Sequence, residues 1–228
     1  MLGAVKPSPL DPTDGTASDR IRTAAYVASA RSADSFPAPV LTEVAFLGRS
    51  NVGKSSLMNV LLQQKSLVRT SSTPGCTRQV SWFRVEANDG VQLELVDLPG
   101  YGYAQRSKQE RNEWADLIEN YLLTRPSLRA AVVLIDVRRD PEESEFRLAE
   151  LLAEPGRVSR PQLEVTWVAT KLDKLSRNAQ KPRLQALNKL LGAPLFGFSA
   201  LSGEGRIPIW RRIRRSAGLD MPTENELL

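Results

Sequence analysis

Gly48-Arg49-Ser50-Asn51-Val52-Gly53-Lys54-Ser55 fits the pattern G-x-x-x-x-G-K-[ST]. It lies between an apolar run, Val44 to Leu47, and a helical pattern from about Lys54 to Gln64. Strand, glycine-rich loop and helix in that order make a phosphate-binding loop. The glycines let the backbone curl so that successive N–H groups converge, and the helix start adds the positive end of its dipole. Lys54 is expected to face the β- and γ-phosphates of a nucleotide and not the core, and the Ser55 hydroxyl to ligate Mg²⁺.

Outward from this loop, short apolar runs alternate with helical patterns. Val80 to Val85 and Val91 to Val96 read as strands joined through Asn88-Asp89-Gly90, a hairpin turn signal. Trp114, Leu117, Ile118 and Tyr121 recur at helical spacing, and the continuous run ending on Asp136 reads as a buried strand. A helix over about Pro141 to Leu152 follows, then a strand over Val165 to Thr170. Next come a helix carrying Leu184, Leu187, Leu190 and Leu191, a strand over Leu195 to Phe198, and a last basic helix. This predicts an α/β fold of three layers, a mostly parallel sheet with helices on both faces. The hairpin is expected to add one antiparallel strand, at the edge.

Residues 1–20 are rich in Pro, Asp, Ser, Thr and Gly, and read as a disordered extension. The nucleotide-binding domain is expected over 21–219, with a short tail over 220–228. Tyr26 to Ala30 is a candidate first edge element.

Composition removes whole classes of chemistry. The chain has 228 residues, 41% hydrophobic and 25% charged, and no histidine. Ser-His-Asp and Cys-His nucleophiles, His-ligated zinc and His proton shuttles are excluded. The single cysteine, Cys76, excludes an intrachain disulfide. No segment reads as a membrane span or an export signal, so a soluble, cytoplasmic, monomeric protein is expected. A net charge of +5 permits a polyanionic partner.

Four further segments bear on the nucleotide. Thr170-Lys171-Leu172-Asp173 lies at the carboxyl end of a strand, the rim where open α/β sheets bind ligands. The Asp173 carboxylate there suits the two donors of guanine, and the Lys171 stem can lie over the base plane. Taken alone, the tetrapeptide also reads as a helix start with Asp173 as its cap. Phe198-Ser199-Ala200 ends the next strand and would offer backbone to the base edge. Asp97-Leu98-Pro99-Gly100 would place Asp97 near Mg²⁺ through water and the Gly100 N–H toward a γ-phosphate. Gly75-Cys76-Thr77-Arg78-Gln79 contains Thr77, whose hydroxyl would be the second protein ligand to Mg²⁺. With Ser56 after the phosphate loop, these complete the expected GTP- and GDP-binding set.

Together GRSNVGKSSL, TSSTPGCTR, DLPGYGYA, TKLD and FSA resemble the bacterial YihA/YsxC (EngB) family of GTPases, which is related to Era and TrmE. The resemblance covers Tyr26 to about Leu219. It implies slow GTP hydrolysis, a role in large ribosomal subunit assembly, and a requirement in cell division and septation. A nucleotide-gated binding module at the division site is the competing reading. An ATP-using phosphotransferase sharing only the phosphate loop is a third, which TKLD counts against. The family's basic residue followed by Thr-Gln is replaced here by Cys76-Thr77-Arg78, which keeps the metal-ligand threonine.

Lys54, Asn51 and Gly100 are the expected catalytic groups. Tyr101 stands where Ras-like GTPases carry the glutamine that orients water, and a phenol cannot do that task. Arg106 is a candidate stand-in. In related GTPases an asparagine at the Asn51 position helps to hold K⁺, although a loop asparagine also suits backbone geometry. Finally, Arg211, Arg212, Arg214 and Arg215 surround a helix whose apolar face is Ile209, Trp210, Ile213 and Ala217. They are expected either to contact rRNA phosphate or to form a solvated face.

Overall fold

The computed structural model describes residues 15–68, 79–101 and 108–219. Seven strands form one sheet in the order β1-β3-β4-β2-β5-β6-β7. They are β1 (Ile21–Ala30), β2 (Glu43–Gly48), β3 (Val80–Ala87), β4 (Gln92–Asp97), β5 (Leu128–Asp136), β6 (Glu164–Thr170) and β7 (Leu195–Gly197). Five helices cover it: α1 (Lys54–Leu61), α2 (Lys108–Thr124), α3 (Glu143–Ala153), α4 (Arg177–Leu191) and α5 (Arg206–Ser216).

The central strands explain the layering. β2 is buried along its whole length, because its residues alternate between two cores. Val44 and Phe46 point into a core with Leu57 and Met58 of α1 and Ile209, Trp210 and Ile213 of α5. Ala45 and Leu47 point the other way, into a core with Tyr121 and Leu122 of α2, Leu152 of α3 and Leu187 of α4. β5 repeats the pattern in parallel register with β2, Val132 opposite Phe46 and Val133 opposite Leu47. Parallel alignment brings the carboxyl ends of β2, β4, β5 and β6 to one edge of the sheet.

Two expectations are corrected. The antiparallel strand of the hairpin, β3, is not at the edge: β1 pairs along it and takes that position. Part of the extension expected to be disordered is also built into the fold. Ala17–Asp19 forms a 3-10 turn, and Asp19 is 0% exposed. Its carboxylate accepts from Thr16 N at 2.8 Å and from Arg211 Nε at 2.9 Å and Nη2 at 2.6 Å. Trp210 Nε1 donates to the Ser18 carbonyl at 2.8 Å and Arg206 Nη1 to the Asp19 carbonyl at 2.8 Å. A composition argument counts apolar area, and this turn is held by polar bonds to α5 instead. Residues 1–14 and the tail over 220–228 lie outside the described residues.

Candidate functional site

β2 ends at Gly48 and α1 begins at Lys54, so the phosphate loop crosses the sheet edge between them. Two left-handed residues curl it, Asn51 at φ 63° and Gly53 at φ 107°. Asparagine tolerates that conformation better than most residues, which gives Asn51 a backbone reason to be here. At Gly48 a Cβ would sit 2.8 Å from Val52 Cγ1 and 3.1 Å from Leu134 Cβ, so the loop closes tightly on β5.

Lys54 differs from its expected setting. It is 8% exposed and its ammonium donates to Asp97 Oδ1, itself on a residue 5% exposed. The cation that should meet phosphate and the carboxylate that should sit near the metal thus neutralise each other. Both lie at the end of their elements, where a ligand would compete for either.

The segment after β4 lies directly against the phosphate loop. Ser50 N donates to the Tyr101 carbonyl at 3.0 Å, and Tyr101 N to the Gly48 carbonyl at 3.3 Å. A Cβ on Gly100 would lie 3.0–3.1 Å from Ser50 Oγ, Cα and N, so the approach favours glycine. Leu98 is buried, its N–H on the Phe46 carbonyl at 3.2 Å. The Tyr101 ring is buried in the core on the α2–α3 side, and its hydroxyl donates to Glu145 Oε1 at 3.1 Å. Burial, and then the Glu145 charge, push the phenol well above its usual range. Arg49 pairs with Glu142 at 2.6 Å, so α3 and the residue that caps its start both brace this junction.

The base-side segments converge as the sequence suggested. Thr170 Oγ1 donates to the Val52 carbonyl at 2.5 Å and the Ile135 carbonyl at 3.0 Å. Lys171, left-handed at φ 61°, donates through Nζ to the Asn51 carbonyl at 2.8 Å. The Asp173 carboxylate accepts from Ser199 Oγ at 2.8 Å, and Leu172 N donates to the Phe198 carbonyl at 3.0 Å. Ala200 follows, exposed. TKLD and FSA are therefore one structure and not two turns.

Asp136 was missed as a site residue. It pairs with Lys171 Nζ at 2.9 Å and with Arg138 Nη2 at 2.7 Å. The Arg138 guanidinium first, and Lys171 after it, hold its carboxyl well below the usual range against the opposing effect of burial. Its place at the end of the β5 run was the available signal.

Ser56 stands half-buried in the first turn of α1, Pro99 lies between Leu98 and Gly100, and Gln79 precedes β3. Gly75, Cys76, Thr77, Arg78 and Arg106 lie outside the described residues.

The donor chemistry fits Mg²⁺. Ser55 supplies a hydroxyl in the first turn of α1, and Asp97 a carboxylate beside Lys54. Among the described residues, no group of three His, Cys, Asp or Glu could hold a metal by itself. One or two protein oxygens, completed by phosphate and water, is the usual Mg²⁺ arrangement.

Three of the four α5 arginines expected at RNA are engaged by carboxylates within the fold. Arg211 pairs with Asp19 at 2.6 Å, Arg212 with Glu164 at 3.0 Å, and Arg214 with Asp89 at 2.6 Å. Arg214 is buried. These arginines tie α5 to the N-terminal turn, to β6 and to the β3–β4 hairpin. Helical periodicity showed their density but not the carboxylates that other segments bring to them. Among the described residues, no helix is long and apolar enough to cross a membrane.

Comparison with known proteins agrees with this geometry. The family model for 50S ribosome-binding GTPases matches residues 43–189. A probable GTP-binding protein EngB from Geobacter metallireducens is 44% identical over 197 residues, covering 85% of this chain and 92% of the relative. Another, from Desulforapulum autotrophicum, is 43% identical over 199 residues, covering 85% and 96%. The crystal structure of a probable GTP-binding protein engB is similar in fold, with a TM-score of 0.56 at 22% identity. That likeness covers 78% of this chain and 100% of that one.

Proposed function

We propose that this chain, which belongs to the EngB family of GTPases, is a cytoplasmic, monomeric, Mg²⁺-dependent switch in assembly of the large ribosomal subunit. Cell division and septation depend on it through that role. The G domain runs from about Gly15 to Leu219. The description of the matched family, a 50S ribosome-binding GTPase, supports the ribosomal partner.

One observation carries the nucleotide part: a curled phosphate loop bonded through Gly48 and Ser50 to Tyr101, beside Gly100, and through Asn51 to Lys171 of the rim on which Ser199 orients Asp173. In the bound state Lys54 exchanges Asp97 for β- and γ-phosphate oxygens. Ser55 and Thr77 would hold Mg²⁺ with Asp97 close by, and the ion would supply positive charge to the phosphates. The Gly100 N–H turns toward the γ-phosphate, which requires the segment after β4 to slide along Ser50. Asp173, oriented by Ser199, takes the guanine edge. Phe198, Ser199 and Ala200 lie beside it.

Tyr101 has its hydroxyl on Glu145 and positions no water, so charge developing on the β–γ bridging oxygen must be met otherwise. The Asn51 side chain would help to hold K⁺, which would supply positive charge there. Hydrolysis is then slow in Na⁺ buffer and faster in K⁺, and Asn51→Ala removes the difference. Two measurements test the whole reading. GTP and GDP, but not ATP, should displace a fluescently labelled GDP. Purified 50S subunits should co-sediment with the GTP-analogue form more than with the GDP form. ATP competing equally with GTP, or subunits indifferent to nucleotide, would sink it.

A further inference from the structure

The formal excess of positive charge is local. Residues 174–203 contain five Lys or Arg and no Asp or Glu, which equals the net charge of the whole chain, +5. The rest of the sequence is balanced. Four of the five cations lie on α4, which follows the guanine rim directly.

α4 packs by one narrow side. Leu187 is buried, and Leu184 and Leu191 are half-buried against the core on that face of the sheet. At 3.6 residues per turn, Arg177, Asn188, Lys181, Gln185 and Lys189 fall in that order within one arc of about 120° that begins beside Leu184 and turns away from the core, and all five are exposed. From Arg177 to Lys189 the stripe runs about 18 Å. Arg183, off the stripe, pairs with Asp140 at 2.7 Å. Among the described residues, Arg177, Lys181 and Lys189 have no ion-pair partner. In this α4 is the reverse of α5, where Arg211, Arg212 and Arg214 each meet a carboxylate.

From this contrast we infer that the outer face of α4 binds the phosphate backbone of RNA, an inference that rests on the ribosomal reading above. Three cations with no carboxylate among them complement a polyanion, and the interleaved amides of Gln185 and Asn188 add donors of the kind that hold phosphate and sugar oxygens. A protein partner would want an apolar or aromatic centre within the patch. The stripe contains none, since exposed Leu190 lies about 100° further round the helix than Lys189.

The test uses the full chain with a GTP analogue, against purified 50S subunits and against a protein-free RNA duplex, across a salt series. Arg177→Gln, Lys181→Gln and Lys189→Gln are combined, because glutamine keeps helix propensity at exposed sites. GDP affinity and melting temperature should stay at parental values. Binding to both probes should weaken about tenfold or more, and the slope of log affinity against log salt should fall by about 2 to 3. A triple variant that binds like the parent at every salt concentration overturns the inference and leaves the ribosomal reading standing. Parental binding to the duplex but not to subunits, lost in the variant, keeps the face and removes the ribosomal reading. Variant-sensitive binding to subunits with no parental binding to the duplex means an acidic protein partner, and overturns the inference. Parental binding to neither probe overturns both.

Discussion

Replacing Lys54 by alanine should destabilise the nucleotide-free protein as well as abolish tight nucleotide binding. A lysine that only faced ligand would be dispensable to the fold, but this one is buried against Asp97. Removing one partner of a buried ion pair leaves the other charge unsatisfied, which typically costs about 3–5 kcal/mol. Each kcal/mol moves the melting temperature of a domain of this size by about 2–4 °C. Thermal unfolding in EDTA, without nucleotide, should therefore show Lys54→Ala melting about 10 °C below the parent. Combining Lys54→Met with Asp97→Asn removes both charges and should recover most of that loss, while nucleotide affinity stays absent. Adding GTP and Mg²⁺ should raise the melting temperature of the parent only. If Lys54→Ala melts within about 2 °C of the parent without ligand, a smaller loss than breaking such a pair allows, the pair contributes nothing to stability and the reasoning fails.

Other substitutions separate the remaining parts. Asp173→Asn should weaken GTP and GDP and favour xanthine nucleotides, because an amide donates where the carboxylate accepts; Ser199→Ala should cost about 1 kcal/mol of GTP affinity through the lost bond to Asp173. Unchanged nucleotide preference in Asp173→Asn, read by displacement, would remove it from base recognition. The Asp19 carboxyl is pushed up by burial but pulled lower by Arg211 and Thr16, to about 2. Its folded pKa is depressed, so its stabilisation is complete above the unfolded value near 4 and disappears as pH falls toward about 2. Asp19→Asn should therefore lose about 2 kcal/mol at neutral pH and show a flatter urea midpoint between pH 4 and pH 2 than the parent. Parallel midpoint curves for the two proteins would contradict this.

The sequence by itself determined the layered sheet and the nucleotide loops, because both are written in local spacing. A run such as β2 or β5 has its two cores implied by its own alternation, and the phosphate loop needs glycines and a lysine at fixed offsets. TKLD and FSA were legible as strand ends, and their order along the chain foretold one rim, although the Ser199–Asp173 bond that joins them was not. What only the tertiary structure decided was which charges meet. Lys54 lies 43 residues from Asp97, Arg211 lies 192 from Asp19, and Arg214 lies 125 from Asp89. No periodicity links positions so far apart, and a cation reads the same in sequence whether its carboxylate stands beside it or across the fold. Arg211, Arg212 and Arg214 of α5 therefore looked available and are engaged, while Arg177, Lys181 and Lys189 of α4 are exposed and, among the described residues, have no carboxylate partner. Charge density is a local property of the chain, but charge availability depends on the distances that folding sets.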